Sequence, residues 1–362
     1  PVSRLRELEF LDPVPVQIVD DDNYRRRINE LTAAPLEIAP DVQSSWLRLL
    51  GVLPDGANTY ASTSRLLQTT VAFYDREEQR ILVREEAGAD PYVESVVVHE
   101  LVHALQHQHF GMADTRFLDG DLGYVHAAMV EGDAERVTRR FIGELSLSDE
   151  FAYEESRLGA TEDRIAIVDS TPSYVLVSLA QPAEDGVRFL QGVDYTTVNA
   201  YFADLAGLSS LPQSSEEIII AGADLERPDV ALAPLMVLPY QPIAAEGTLG
   251  VGRLRTLLRQ VVDFAAVDRA VTGWANDQLD IRVAGDDVIF AYLFAGDTDA
   301  DAVELAEAFY VLLDANLAPD AYGSIRVDGN SALVLAASDD SVRVRLVELF
   351  GDFGEEVYTT GP

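Results

Sequence analysis

Residues 96–105 read Val-Val-Val-His-Glu-Leu-Val-His-Ala-Leu, and the apolar residues around the two histidines are typical of a buried helix. We predict that this helix runs from Pro91 to Phe110. Four helical residues turn through nearly a full circle, so His99 and His103 would lie on the same face. Two imidazoles so placed can bind one metal ion, and Glu100 can reach a water on that metal. The stretch therefore predicts a metal-binding helix.

The distribution of histidine supports this interpretation. The chain contains five histidines, and all of them lie between residues 99 and 126. Histidines that merely fill a core would be scattered along the chain, because packing does not require them to cluster. The clustering therefore favours a metal site over the chance occurrence of a short motif.

Three residues are candidates for the third metal ligand. His107 continues the histidine stripe, but it rises about 12 Å along the helix from His99, too far for metal–nitrogen bonds of about 2 Å. His109 has the spacing typical of metzincins, yet their pattern needs a glycine that turns the chain, and this chain has Gln106 there. Glu131 fits best, because it lies on the next predicted helix, which can pack beside the first.

The residues next to Glu131 indicate how the second helix would support the site. Gly132 and Ala134 are small enough for two helices to approach closely. Asp133 or Glu135 is predicted to accept a hydrogen bond from the free ring N–H of a ligand histidine, the usual way of orienting such a ring. The sequence thus places ligands and their supports on two packed helices.

The composition excludes several classes of protein. The chain has 62 acidic and 26 basic residues, all of the latter arginine, which gives a formal net charge of −36 and a pI near 4.2. Such a surface repels phosphate groups, so we predict no nucleic-acid partner. No apolar run reaches the length of a membrane span, so we predict no transmembrane segment. Cysteine is absent, which excludes disulfides and cysteine-ligated zinc.

The hydrophobic pattern divides the chain into two regions. The first is predicted to contain a strand at Val14–Val19, helices around Tyr24–Leu31, at 44–51 and at about Leu122–Leu145, and a hairpin of Thr69–Tyr74 and Gln79–Val83. The second is predicted to have the order ββαββα, with strands Leu279–Val283, Val288–Phe294, Ser324–Val327 and Ala332–Ala336, and helices Asp301–Leu317 and Val342–Phe350. We therefore predict a domain of residues 1–275 and a small α+β domain of residues 276–362.

The motif residues resemble a known family. H-E-L-V-H at 99–103, followed by E-G-D-A at 131–134, is similar to the gluzincin metallopeptidases. The longer pattern around these residues resembles a group of uncharacterised bacterial metallopeptidases that are often exported or lipid-anchored. The resemblance covers roughly residues 1–225. It implies an α+β fold whose body is mainly helical and zincin-like, with a small N-terminal sheet, and an extracytoplasmic location.

The same resemblance implies a zinc-dependent peptidase. His99, His103 and Glu131 would hold Zn²⁺ and leave one coordination position open. Glu100 would act as the general base during hydrolysis of a peptide or protein substrate.

The electrophile that stabilises the tetrahedral intermediate is less clearly marked in the sequence. His126, Tyr124 and Tyr240 are candidates, each weighed against the simpler role of a packed side chain. The chain also departs from its relatives at two positions. They commonly have an acid in place of His107 and a tyrosine in place of Ala183.

A second hypothesis is a zinc-containing envelope protein on the same fold, with a binding or structural role and no catalysis. The absence of tyrosine at Ala183 is compatible with it, whereas Glu100 counts against it, because a structural site needs no base. The strand that ends at Val83 has two interpretations as well. It is an ordinary hairpin strand, or it runs beside the metal helix and pairs with an extended peptide.

Overall fold

The computed structural model describes residues 1–33, 40–113, 120–223, 227–243 and 247–359, and it has an α+β fold. The helices are α1 (Val2–Arg6), α2 (Asp21–Thr32), α3 (Pro40–Leu49), α4 (Thr59–Leu67), α5 (Pro91–Phe110), α6 (Gly120–Ile142), α7 (Leu147–Ser170), α8 (Ser173–Phe189), α9 (Tyr195–Tyr201), α10 (Ser215–Ile219), α11 (Gly250–Leu258), α12 (Phe264–Thr272), α13 (Asp299–Asn316) and α14 (Arg343–Phe350). The strands are β1 (Val16–Val19), β2 (Ala72–Asp75), β3 (Arg80–Arg84), β4 (Gln241–Pro242), β5 (Trp274–Ala284), β6 (Asp287–Gly296), β7 (Tyr322–Asp328), β8 (Ser331–Ala337) and β9 (Glu355–Thr359). Within these described ranges, no helix combines the length and the hydrophobicity needed to cross a lipid bilayer.

Helix α5 begins and ends at the predicted residues, Pro91 and Phe110. The Asp90 carboxylate accepts a hydrogen bond from the backbone N–H of Tyr92, which would otherwise lack a partner in the first helical turn. Proline suits the first helical position because its φ is already helical. At the other end, Gly111 has a φ of 70°, a left-handed conformation that favours glycine and ends the helix.

A three-stranded sheet with the order β1-β3-β2 packs against α5. The predicted hairpin is confirmed, since β2 and β3 pair antiparallel with Ala72 opposite Val83. Strand β1 pairs with β3 in parallel, with Val16 opposite Ile81. Because β3 is the central strand, the interpretation that the strand ending at Val83 pairs with a peptide is wrong. The edge strand beside α5 is β2.

Helices α6 and α8 approach each other so closely that two glycines meet. A Cβ on Gly132 would lie 2.5 Å from the backbone of Gly186, and a Cβ on Gly186 would overlap the carbonyl oxygen of Ala128. We predicted that Gly132 permits close packing against the metal helix, but the helix that uses this space is α8. The contact fixes the part of α6 that carries Glu131.

The C-terminal region has the predicted ββαββα order, formed by β5, β6, α13, β7, β8 and α14. Its strands belong to a six-stranded sheet with the order β4-β5-β6-β8-β7-β9. Strands β4 and β9 were not predicted and form the two edges. Helix α13 buries Leu305, Phe309 and Leu312 against one face of the sheet.

One hydrophobic core contains residues from both sides of position 275. Trp46 of α3 stacks on Phe290 of β6, with ring centroids 5.8 Å apart, and Tyr174 of α8 belongs to the same core. A second core joins α1, α5, α6 and α9 through residues such as Leu5 and Val102. The division into two domains stays a prediction. The hydrophobic core that contains Trp46 and Phe290 extends across the predicted boundary at residue 275.

Candidate metal centre

Helix α5 places His99 and His103 one turn apart on the same side. The centroids of the two rings are 4.8 Å apart, and the ring planes make an angle of 81°. The His99 side chain is 21% exposed and the His103 side chain 10% exposed. Both rings are therefore held by a mostly buried helix while remaining open to an ion from solvent.

Helix α6 brings Glu131 to these two rings. Its Oε2 lies 3.2 Å from Nε2 of His99 and 3.6 Å from Nε2 of His103. One nitrogen from each ring and one carboxylate oxygen all lie within 4.8 Å of one another. Among the described residues, this is the one group of His, Asp or Glu side chains placed to share a metal ion.

The electrostatics of this group show strong coupling between carboxylate and imidazole. Burial opposes ionisation of Glu131, but the charges and hydrogen bonds of His103 and His99 outweigh it, so the pKa of Glu131 lies well below its usual range. Burial likewise opposes protonation of His103, and the charges of Glu131 and Glu100 raise its pKa to about 10. The site therefore favours a negative carboxylate facing positive charge.

Glu100, next to the first histidine, is held by the edge of the N-terminal sheet. Its Oε2 accepts a hydrogen bond of 2.7 Å from the backbone N–H of Tyr74 in β2. Burial raises the pKa of Glu100, although the charges of His103 and His99 act in the opposite direction. The result is a positioned carboxylate that binds a proton more readily than an exposed glutamate does.

The support of His103 differs from the prediction. Its Nδ1 lies 3.0 Å from Oε1 of Gln106, one turn later on the same helix. Asp133 does not contact a ligand histidine; its Oδ2 accepts a 3.1 Å hydrogen bond from Nε2 of Gln106. The predicted support of a histidine by Glu135 is not observed either. Its carboxylate forms a 2.7 Å ion pair with Arg139 at the half-exposed surface of α6.

Two of the three candidate electrophiles, Tyr124 and Tyr240, contact groups in other parts of the fold. The Tyr124 hydroxyl donates a hydrogen bond to the buried carboxylate of Asp185 in α8, and this bond uses its proton. Tyr240 packs in a hydrophobic core of the C-terminal sheet, and its pKa is raised by burial and by Asp287 and Asp339. These contacts tie both side chains to other parts of the fold, and the electrophile role of each stays a prediction.

His126 is the remaining candidate. Its side chain is buried, and its Nε2 has no hydrogen-bond partner among the described residues. Burial lowers its pKa to about 4, and the charge of Glu131 opposes that shift while Arg76 and His103 add to it. His126 therefore lies within the electrostatic reach of Glu131 and His103 as a neutral imidazole.

The two histidines that the sequence excluded as ligands have other partners. Nδ1 of His107 lies 2.9 Å from the Tyr74 hydroxyl. Nε2 of His109 lies 2.7 Å from the carbonyl oxygen of Glu9. Neither belongs to the group around Glu131.

Sequence reasoning missed Gln106 and Tyr74. Gln106 was considered only as a residue that is not glycine, although its position three residues after His103 places it on the same helical face. Tyr74 contacts Glu100 through its backbone, so no side-chain pattern could reveal the contact. Its position in the strand nearest α5 was the available signal.

Comparisons with known proteins do not identify the chain. No family model matches it, and neither a curated protein nor a solved structure gives a match. The resemblance to gluzincins, which was drawn from the motif residues, therefore stays a prediction.

Proposed function

We propose that this protein is a zinc-dependent peptidase. The observation that carries the proposal is the convergence of His99, His103 and Glu131, with Glu100 held beside them by a backbone N–H. A structural metal site requires ligands such as His99, His103 and Glu131, but it does not require a carboxylate such as Glu100 beside them. The presence of a positioned carboxylate next to a three-ligand group supports a catalytic role.

The chemistry of the donor atoms fits Zn²⁺. Two imidazole nitrogens and one carboxylate oxygen are the protein ligands of one common class of catalytic zinc site, which keeps a fourth position open. The donors come from two packed helices, and the exposure of the Glu131 side chain, 40%, leaves one side accessible. When bound, Zn²⁺ supplies a Lewis acid that acidifies water and polarises a carbonyl group.

The residues of this chain would then perform the remaining tasks. Glu100 Oε2 is fixed by the Tyr74 N–H, which leaves Oε1 as the atom to accept a proton from the attacking water and to pass it to the leaving amine. His126, neutral and buried nearby, is the candidate for an additional electrostatic role. A peptide substrate is supported by the position of β2, an edge strand directly beside Glu100.

The test compares the wild type with Glu100→Gln. We expect both proteins to bind one Zn²⁺, and only the wild type to cleave members of a peptide library. Glu94→Gln is the matched control, because Glu94 is an exposed acid on the same helix; it should retain activity. Stoichiometric zinc with no cleavage by any of the three proteins would instead favour a zinc-containing binding protein.

A further inference from the structure

The orientation of the Gln106 side chain is determined by its surroundings. One end of its amide lies 3.0 Å from the carbonyl oxygen of Val130 and 3.1 Å from Oδ2 of Asp133. Both of these atoms are acceptors, so the NH₂ group must be at this end. The amide oxygen therefore faces the other way, towards Nδ1 of His103.

This orientation selects one tautomer of His103. Because the Gln106 oxygen can only accept, the Nδ1 that lies 3.0 Å from it must carry a proton. With Nδ1 holding its proton, Nε2, the atom nearest Glu131, is the nitrogen that loses its proton and binds a metal. The surrounding contacts are buried, so water does not compete for them.

The far end of this set of contacts is the N-terminal helix. Arg6 of α1 donates from Nε to Oδ2 of Asp133 at 2.8 Å, and both side chains are almost completely buried. Arg6 also donates from Nη2 to Asn199 at 2.8 Å and lies over the Tyr195 ring at 4.5 Å. The carboxylate that orients Gln106 is therefore anchored by a charge from a distant segment of the chain.

We propose that Arg6, Asp133 and Gln106 act as a buried relay of positioning residues that sets the tautomer and direction of the metal ligand His103. The proposal rests on the proposed function, since it requires that His103 binds the metal. It assigns α1 a role in metal affinity although none of its residues contacts the ligands. None of the three residues belongs to the group of His99, His103 and Glu131.

The experiment measures Zn²⁺ affinity by competition with a chelator. Gln106→Met keeps the volume of the side chain and removes its amide, and we expect it to lower the affinity about 10- to 100-fold. Gln108→Met is the matched control, because within the described ranges the Gln108 amide hydrogen-bonds only to the exposed segment at Leu11 and Asp12. It should bind Zn²⁺ as the wild type does.

Asp133→Asn tests the second step of the relay. Arg6 Nε and Gln106 Nε2 both donate to Oδ2 of Asp133, and an asparagine, which has one amide oxygen and no negative charge, holds the two donors more weakly. We expect the Zn²⁺ affinity to fall about 10-fold, because Gln106 is then less firmly oriented. A folded Asp133→Asn protein with wild-type affinity would overturn the relay.

Ring-nitrogen NMR of the zinc-loaded wild type gives an answer that needs no variant to fold. We expect a proton on Nδ1 of His103 and metal on Nε2; the reverse arrangement would overturn the relay. Folded Gln106→Met with wild-type affinity would overturn it as well. If the wild type itself binds no Zn²⁺, the proposed function fails, and this inference fails with it.

Discussion

The contact between α6 and α8 predicts a specific effect of Gly186→Ala. The added Cβ would lie 2.6 Å from the carbonyl carbon of Ala128 and 3.0 Å from Cα of Gly132. Carbon atoms pack best at about 3.5–4.0 Å, so the two helices would have to separate by about 1 Å. Gly132 directly follows Glu131, and the movement would therefore pull this carboxylate away from His99.

Two opposing terms set the size of the effect on stability. Overpacking of this kind lowers the free energy of unfolding by about 1–3 kcal/mol, whereas replacement of glycine by alanine inside a helix raises it by about 1 kcal/mol. The overlap with the backbone oxygen of Ala128 places this case at the upper end of the overpacking range, so we expect a net loss of about 2 kcal/mol in the free energy of unfolding. Metal binding should suffer more, because zinc–ligand distances tolerate only about 0.2 Å; we expect at least about tenfold weaker Zn²⁺ binding.

Urea denaturation and zinc titration of the same samples would measure both quantities. Gly159→Ala in α7 is the matched control, since a Cβ there meets no atom within 4 Å. The control should be as stable as the wild type or slightly more stable, with unchanged zinc affinity. If Gly186→Ala behaves like the control, the two helices are not held at the distance described, and the reasoning about Glu131 is refuted.

Two further predictions concern buried charge. Burial lowers the pKa of His126 to about 4, below the value of about 6.5 in an unfolded chain, so its contribution to stability is present above pH 6.5 and lost as the pH falls towards 4. His126→Gln should therefore reduce the loss of unfolding free energy between pH 7 and 4 by about 3 kcal/mol, measured by urea denaturation at each pH; an unchanged pH profile would contradict this. Arg255 forms an ion pair with the fully buried Asp185, and Arg255→Met should cost about 3–5 kcal/mol in the same assay, whereas a loss below about 1 kcal/mol would show that Asp185 is neutralised in another way.

The parts of the site that could be predicted are those that depend on local spacing. The helical repeat places His99 and His103 on one face, and the residues at either end of α5 define its length. The prediction of Glu131 used one further assumption, that the next helix packs beside the first. Each of these steps involves neighbouring elements and few alternatives.

The supporting residues could not be predicted in the same way. A buried polar group bonds to whatever partner the tertiary structure brings close, and Tyr124 finds Asp185, 61 residues away in sequence. Glu135 finds Arg139 one turn later, which satisfies its charge near solvent without help from a histidine. The same applies to the sheet, because the parallel pairing that places β3 in the centre joins strands more than 60 residues apart.

The stacking of Trp46 on Phe290 has a consequence for biosynthesis. The two rings belong to one core, yet the ribosome adds the second more than two hundred residues after the first. At about 5–20 residues per second, the delay is on the order of ten seconds or more. Throughout that interval, the nascent chain carries the apolar face of α3 without the strand that covers it, so this core closes only after β6 has been synthesised.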